Sequence, residues 1–260
     1  MSLFMAPSAL EMPAGEIYDT GIEYEGSEGS EFSGQEMISS EVPFPPDHYW
    51  ENVVFQVENA FFKVPTHHFV TQSEVFADML SLPQGTAATE AEGQSRENPI
   101  VLPVTEQDFR RLLRALYPLE APRHPLFNKE ELVSLLKLSK LWFMKRMREY
   151  AVEKITEILN SIDAIERVIL AREYSVENWL RSGYVALATR YPVVSIEDAE
   201  LIGWKPALLL EHVREEAYAS MGGGRMGRVS LSEYQVQSGV ESKFSAEFQE
   251  IRSSEAAYRF

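Results

Sequence analysis

The chain has 260 residues, carries 40 Asp and Glu against 24 Lys and Arg for a net charge of −16, and contains no cysteine. Disulfides, zinc–thiolate sites and cysteine nucleophiles are therefore excluded, and the acidic excess disfavours nonspecific binding to nucleic-acid phosphate or to an anionic membrane surface. An apolar fraction of 45% is ordinary for a globular protein and allows a real core.

Cysteine-free composition fits a reducing compartment, and the N-terminus shows no basic stretch followed by an apolar one, so cytoplasm or nucleus is the expected location. No run is long and apolar enough to suggest a membrane span. From Met1 to Asp47 there is no Lys or Arg, while Glu11, Glu16, Asp19, Glu23, Glu25, Glu28, Glu31, Glu36, Glu41 and Asp47 are spread among Ser, Gly and Pro. Residues 1–47 read as a disordered acidic arm, either solubilising or a docking segment with Ile17, Tyr18, Ile22 and Tyr24 as apolar points.

Order is expected from about Pro46–Tyr49. Val53–Val57 is β-branched and aromatic, Glu58-Asn59 is a turn signal, and Ala60–Val64 is the return strand, closed by Pro65. Ser73 caps a short helix over 74–80 whose apolar face is Val75, Phe76, Met79 and Leu80. Residues 82–97 form a polar loop, and Pro99–Val104 a short apolar strand.

The remainder reads as helical. Thr105 with Asp108 resembles a capping box, and Phe109, Leu112, Leu113 and Leu116 follow at helical spacing until Tyr117-Pro118. Asn128 with Glu131 starts the next helix, with Leu132, Leu135, Leu136, Trp142 and Phe143 as its buried face. Ala151, Ile155, Ile158 and Leu159 mark another. A further layer is expected from the stripes Ile162, Ile165, Val168, Ile169 and Val176, Trp179, Leu180, Tyr184, Leu187, broken at Pro192. Ser195–Asp198 opens a short helix stopped by Gly203, and 204 to about 219 forms the next. Beyond the Gly222–Gly224 run, residues 221–260 read as a flexible tail. Val240, Phe244, Phe248 and Ile251 offer at most a partner-binding amphipathic turn set.

The blocks Phe62-x-Val-Pro-x-His67-x-Phe69, Ser73-x-Val-Phe-x-x-Met-Leu80 and "NPIVL" before "DFRRLLRALYP" occur in fixed order and with suitable gaps. Together they resemble the BTB (POZ) domain in the form common among basidiomycete fungi. The resemblance covers about 49–159. "ILAREYSVENWL" and "SIEDAELIGW" are similar to the helical extension that follows the domain in those proteins. It implies an α+β fold, a small sheet with a hairpin flanked by a helical cluster at 48–160, then an all-α extension at 161–220. Phe62, Pro65, His67, Phe69, Ser73, Val75, Phe76 and Met79 are the structural signature it implies.

Functionally, the resemblance implies a non-enzymatic protein-interaction module that acts as adaptor or assembly scaffold, by self-association or by binding a cullin ubiquitin-ligase scaffold. Three departures bear on the partner. Asn52 and Thr66 stand where animal members often carry an Asp and a basic residue. The 82–97 loop has no convincing hydrophobic-x-Glu motif of the cullin-binding kind. No amphipathic helix precedes Tyr49 to support a swapped dimer. Partner contacts are expected on the exposed side of the hairpin, at Phe55 and Phe61, and on the following loop, at Leu82, Glu90 and Glu92.

Other patterns have plainer readings. His67 is expected in a structural role, with His68 pointing elsewhere, since adjacent side chains diverge; metal chelation by the pair alone is disfavoured. Gly222–Gly227 matches G-x-G-x-x-G, but a helix precedes it, whereas a dinucleotide fingerprint needs a strand there. Ser134-x-x-Lys137 lacks its companion catalytic elements and falls mid-helix. Arg110, Arg111 and Arg114, with Lys145, Arg146 and Arg148, read as a solvated helix face, or as an acid-binding surface. An enzyme would need a pocket joining His124 or His212 to an acid and a serine. No cofactor or metal is expected, and nucleic acid and membrane are not expected partners.

Overall fold

The computed structural model describes residues 51–82, 92–118, 126–220 and 232–258. The acidic arm, Glu90, His124 and the Gly222–Gly227 motif lie outside them. The architecture is mixed α+β: a small three-stranded sheet and a predominance of helix. Strands β1 (Asn52–Val57) and β2 (Ala60–Pro65) form the expected antiparallel hairpin, in register from Asn52↔Pro65 to Val57↔Ala60. Its turn places Glu58 at φ +52, a region a non-glycine residue seldom adopts. The Glu58 carboxylate accepts the Glu106 N–H at 3.1 Å, tying the turn to the N-terminus of a later helix.

Strand β3 (Ile100–Val101) runs parallel to β1, in the order β2-β1-β3. It is shorter than the expected Pro99–Val104 segment because Pro99 and Pro103 lack N–H donors and bracket it. The join after the hairpin is itself helical: α1 (His67–Gln72) precedes α2 (Glu74–Ser81), with Ser73 extended between them. The Ser73 hydroxyl accepts the Phe76 N–H and donates 2.6 Å to the Trp142 carbonyl, so one buried side chain caps a helix and fixes it to the next layer.

Helices α3 (Glu106–Leu116) and α4 (Lys129–Leu141) begin at the expected signals, and α5 (Lys145–Glu157) follows Met144 without a side-chain cap. Asn128 and Glu131 form a reciprocal capping box. Thr105 accepts the Asp108 N–H, but the Asp108 carboxylate is engaged elsewhere, so that box is one-sided. Phe143, expected inside, adopts φ +51 at the α4–α5 junction and is half exposed. The reversal gives its buried place to Met144.

A 3₁₀ turn (Leu159–Ser161) leads to the second layer: α6 (Ala164–Tyr174), α7 (Glu177–Thr189), α8 (Ile196–Ile202) and α9 (Trp204–Ala219). Gly183 lets α6 and α7 approach closely, since a Cβ there would lie 2.8 Å from Val168 Cγ2 and 3.2 Å from the Ala164 carbonyl oxygen.

The flexible tail expected over 221–260 is corrected at 233–256, which form the 24-residue helix α10 (Glu233–Ala256). Val236, Val240, Phe244, Phe248 and Ile251, every third or fourth residue, are buried where α10 packs on α7 and α9. Phe244 stacks on Tyr184 at 4.0 Å between ring centroids. Glu247 fixes the register: it accepts from Tyr184 Oη and from Arg172 Nε, each at 2.8 Å. Beyond the helix, Tyr258 stacks on Phe143 and lies under the Arg148 guanidinium. One core runs from Val53 to Ile251, so the boundary expected near residue 160 marks no break in packing. Among the described residues no helix is long and apolar enough to cross a membrane.

Candidate protein-interaction surface

The alternation of a strand decides what the sheet offers. On the inner face, Phe55 has Phe62 and Ile100 beside it in the ladder. It meets Phe69, Phe76 and Phe109 at 5.2, 5.6 and 5.7 Å between ring centroids. Phe55 is 0% exposed, so its expected role as a partner contact is corrected: it is the centre of the core. Counting alternate positions from Phe61 places Phe55 on the opposite face, where the helices cover it.

The outer face carries the neighbouring row, Phe61, Gln56 and Val101, aligned across the three strands. Phe61 is 38% exposed and Val101 65%. The Arg96 guanidinium lies over the Phe61 ring, 4.6 Å from its centroid, and Lys63 is exposed on the same strand. The loop segment bearing Arg96 is held to β1, since its Gly93 carbonyl accepts the Val54 N–H at 2.7 Å. Gly93, at φ +85, sits where a Cβ would come within 2.9 Å of both Val53 and Ile100 side chains. An aromatic, a stacked guanidinium, an amide and an aliphatic side chain thus lie on a rigid, hydrogen-bonded support, a composition suited to protein contacts. Leu82, 63% exposed, and Glu92, also exposed, belong to the loop expected over 82–97. Gln56, Arg96 and Val101 were missed; strand register against Phe61 was the signal that could have found Gln56.

Most signature residues are structural. Phe69, Ser73 and Phe76 are buried, Met79 packs on the core, and Phe62 meets Phe109 edge-on at 5.0 Å. The Pro65 carbonyl accepts from Tyr117 Oη at 2.5 Å, and burial pushes the Tyr117 hydroxyl up to about 12. Two expectations are corrected. Val75 is exposed, because α2 turns Phe76 inward instead. His67 is exposed, whereas His68 is half-buried against Tyr117, 5.0 Å between centroids. The two imidazoles do not diverge but form an edge-to-face pair at 5.3 Å. Burial first, then the neighbouring His67, pushes the His68 imidazole below its ordinary value. Among the described residues no cluster of three His, Cys, Asp or Glu side chains is placed to hold a metal.

Ser134 and Lys137 meet on one carboxylate. Ser134 Oγ donates to Asp108 Oδ1 at 2.6 Å, Lys137 Nζ to Oδ2 at 2.7 Å, and Arg111 donates to Ser134 Oγ at 2.8 Å. Burial acts to raise the Asp108 carboxyl, but the hydrogen bonds from Lys137, Ser134 and Thr105 outweigh it and hold it below the usual carboxylate value. Sharing one carboxylate, the cluster bolts α3 to α4. Arg110 and Arg114 are likewise paired, with Glu106 and Glu131. Arg148, expected in a solvated cluster, is buried and donates to the Tyr174 carbonyl at 2.8 Å, joining the two layers.

A groove of about 790 Å³ lies between α7 and the first turns of α10, lined by Arg167, Arg181, Tyr234 and Glu241 among others. Its arginines are engaged: Arg181 pairs with Glu177 and Glu241, and Arg167 donates to Ser182 Oγ and to the Ile162 and Asn160 carbonyls. His212 is exposed on α9. Comparison with protein-family models gives no match, and comparison with curated proteins gives none.

Proposed function

We propose that the chain is a protein–protein interaction module of the BTB (POZ) kind, acting without catalysis as an adaptor or assembly scaffold. One observation carries the reading. The three sequence blocks on which the resemblance rests converge on one aromatic cluster, Phe55 with Phe69, Phe76 and Phe109, closed by Trp142. That packing leaves the opposite sheet face, with Phe61, Gln56 and Val101, for a partner. The order of hairpin, helix pair, short parallel strand and helices supports the same reading.

The test is light scattering after size exclusion on the full chain across a concentration series, with Phe61→Ala and Val101→Ser beside it. A parallel capture experiment uses purified cullin as bait. Oligomers or cullin capture that weaken at least tenfold in these variants support the module. A chain that stays monomeric and ignores cullin, or associates identically with both substitutions, counts against this face.

A further inference from the structure

We propose that a second surface, the face of α8–α9 bearing Leu201, Trp204, Leu208 and Glu211, docks a basic amphipathic helical segment of a partner protein. This inference is independent of the family reading and concerns a different part of the molecule. Trp204 and Leu208 are 61% and 60% exposed and one helical turn apart on α9; Leu201, equally exposed, precedes them across Gly203. An exposed tryptophan between two exposed leucines is unusual for a solvated helix face, and such patches mark interaction sites.

Glu211 identifies the chemistry. At seven residues from Trp204 and three from Leu208 it falls in the same stripe. One of its carboxylate oxygens, Oε1, is buried and has no hydrogen-bond partner. A carboxylate with one oxygen withdrawn from water and unpartnered is costly, and a Lys or Arg docked over this half-buried side chain would offset its charge. Glu215 continues the stripe one turn on, and Glu197 and Glu200 are exposed on α8 before it, with Lys205 the exposed cation beside Trp204.

The stripe from Trp204 to Glu215 spans about 16 Å, at about 1.5 Å per residue. Its one-turn repeat matches a helix that presents apolar anchors toward Trp204 and Leu208 and cations toward the glutamates. A second copy of this chain docked through the same face would set the same carboxylates against each other, and a nucleic acid or an anionic membrane would be repelled by them.

The probe is a fluorescein-labelled synthetic helical peptide of Leu and Lys, Leu on one face, titrated with the full chain and read by anisotropy. The control peptide has Glu in place of every Lys. The expected result is binding of the Lys peptide alone, weakened at least tenfold by Trp204→Ser with Leu208→Ser, which leaves net charge unchanged. Glu211→Gln is expected to weaken it severalfold, and Val101→Ser, on the sheet, to leave it unaltered. Leu208→Ser alone serves if the double variant loses its helical circular dichroism. Equal binding of both peptides, no binding of either, unchanged affinity in the Trp204 and Leu208 variants, or self-association abolished by those substitutions would each overturn the proposal.

Discussion

Phe244→Ala tests whether α10 belongs to the fold or is a detachable strap. Phe244 is buried, stacks on Tyr184 at 4.0 Å and lies near Phe248 in the same stripe. Truncating a buried phenylalanine costs about 3–5 kcal/mol, combining lost transfer energy with an unfilled cavity. The upper part of that range is expected, because Glu247, one turn on, is held by Tyr184 and Arg172 and resists collapse of the helix into the void. With a urea slope of about 3 kcal/mol/M, the midpoint falls by roughly 1–2 M. Urea unfolding followed by far-ultraviolet circular dichroism and by tryptophan fluorescence measures it. Trp142 reports the first layer and Trp179 the second, both buried, so the two signals should fall together. The reasoning is refuted if the midpoint moves by less than about 0.3 M while α10 becomes sensitive to protease. The helix would then open locally without weakening the rest.

Three further outcomes follow from named contacts. Asp108→Asn removes part of the acid limb of stability. Its folded value is depressed, so its contribution is complete above the unfolded value of about 3.9 and is lost as pH falls through the lower folded value. Stability of the variant below about pH 4 should therefore depend less steeply on pH than that of the parent, by denaturant titration at each pH. Gly183→Ala forces a methyl against Val168 Cγ2 and should cost about 1–3 kcal/mol by thermal unfolding; a neutral result would mean that α6 and α7 can separate freely. Ser73→Ala removes the α2 cap and leaves the Trp142 carbonyl without its hydroxyl donor, costing about 1–3 kcal/mol by the same measurement; Ser73→Thr, which keeps the hydroxyl, should lose less.

The hairpin, the caps at Ser73, Asn128 and Ser195, the stop at Gly203 and the span of α9 were legible because each is written within a few residues: a turn signal, a side-chain acceptor three positions before a free N–H, a residue without Cβ. The candidate surface was legible in part. Phe61, Leu82 and Glu92 stand exposed, but Phe55 is buried. The alternation itself separates the two phenylalanines onto opposite faces; which face the helices cover is a matter of tertiary packing. The histidine pair was misread for a similar reason. Neighbouring side chains leave a strand or a helix in different directions, yet at the start of α1 the His67 and His68 rings meet edge to face, with His68 against Tyr117.

By itself the sequence determined the periods, the breaks and the mixed α+β character, because hydrophobic spacing and capping are local properties of the chain. Only the tertiary structure decided what those periods pack against. The stripe Val240, Phe244, Phe248 and Ile251 reads the same whether it meets water, a partner or its own chain; Tyr184, Arg172 and Val213, distant in sequence, make it the last helix of the core. Asp108, Ser134 and Lys137 looked like a cap and a mid-helix pair, and became one cluster when α3 and α4 packed side by side. Burial and ion pairing arise between segments, so their energies are fixed only when the chain has closed on itself.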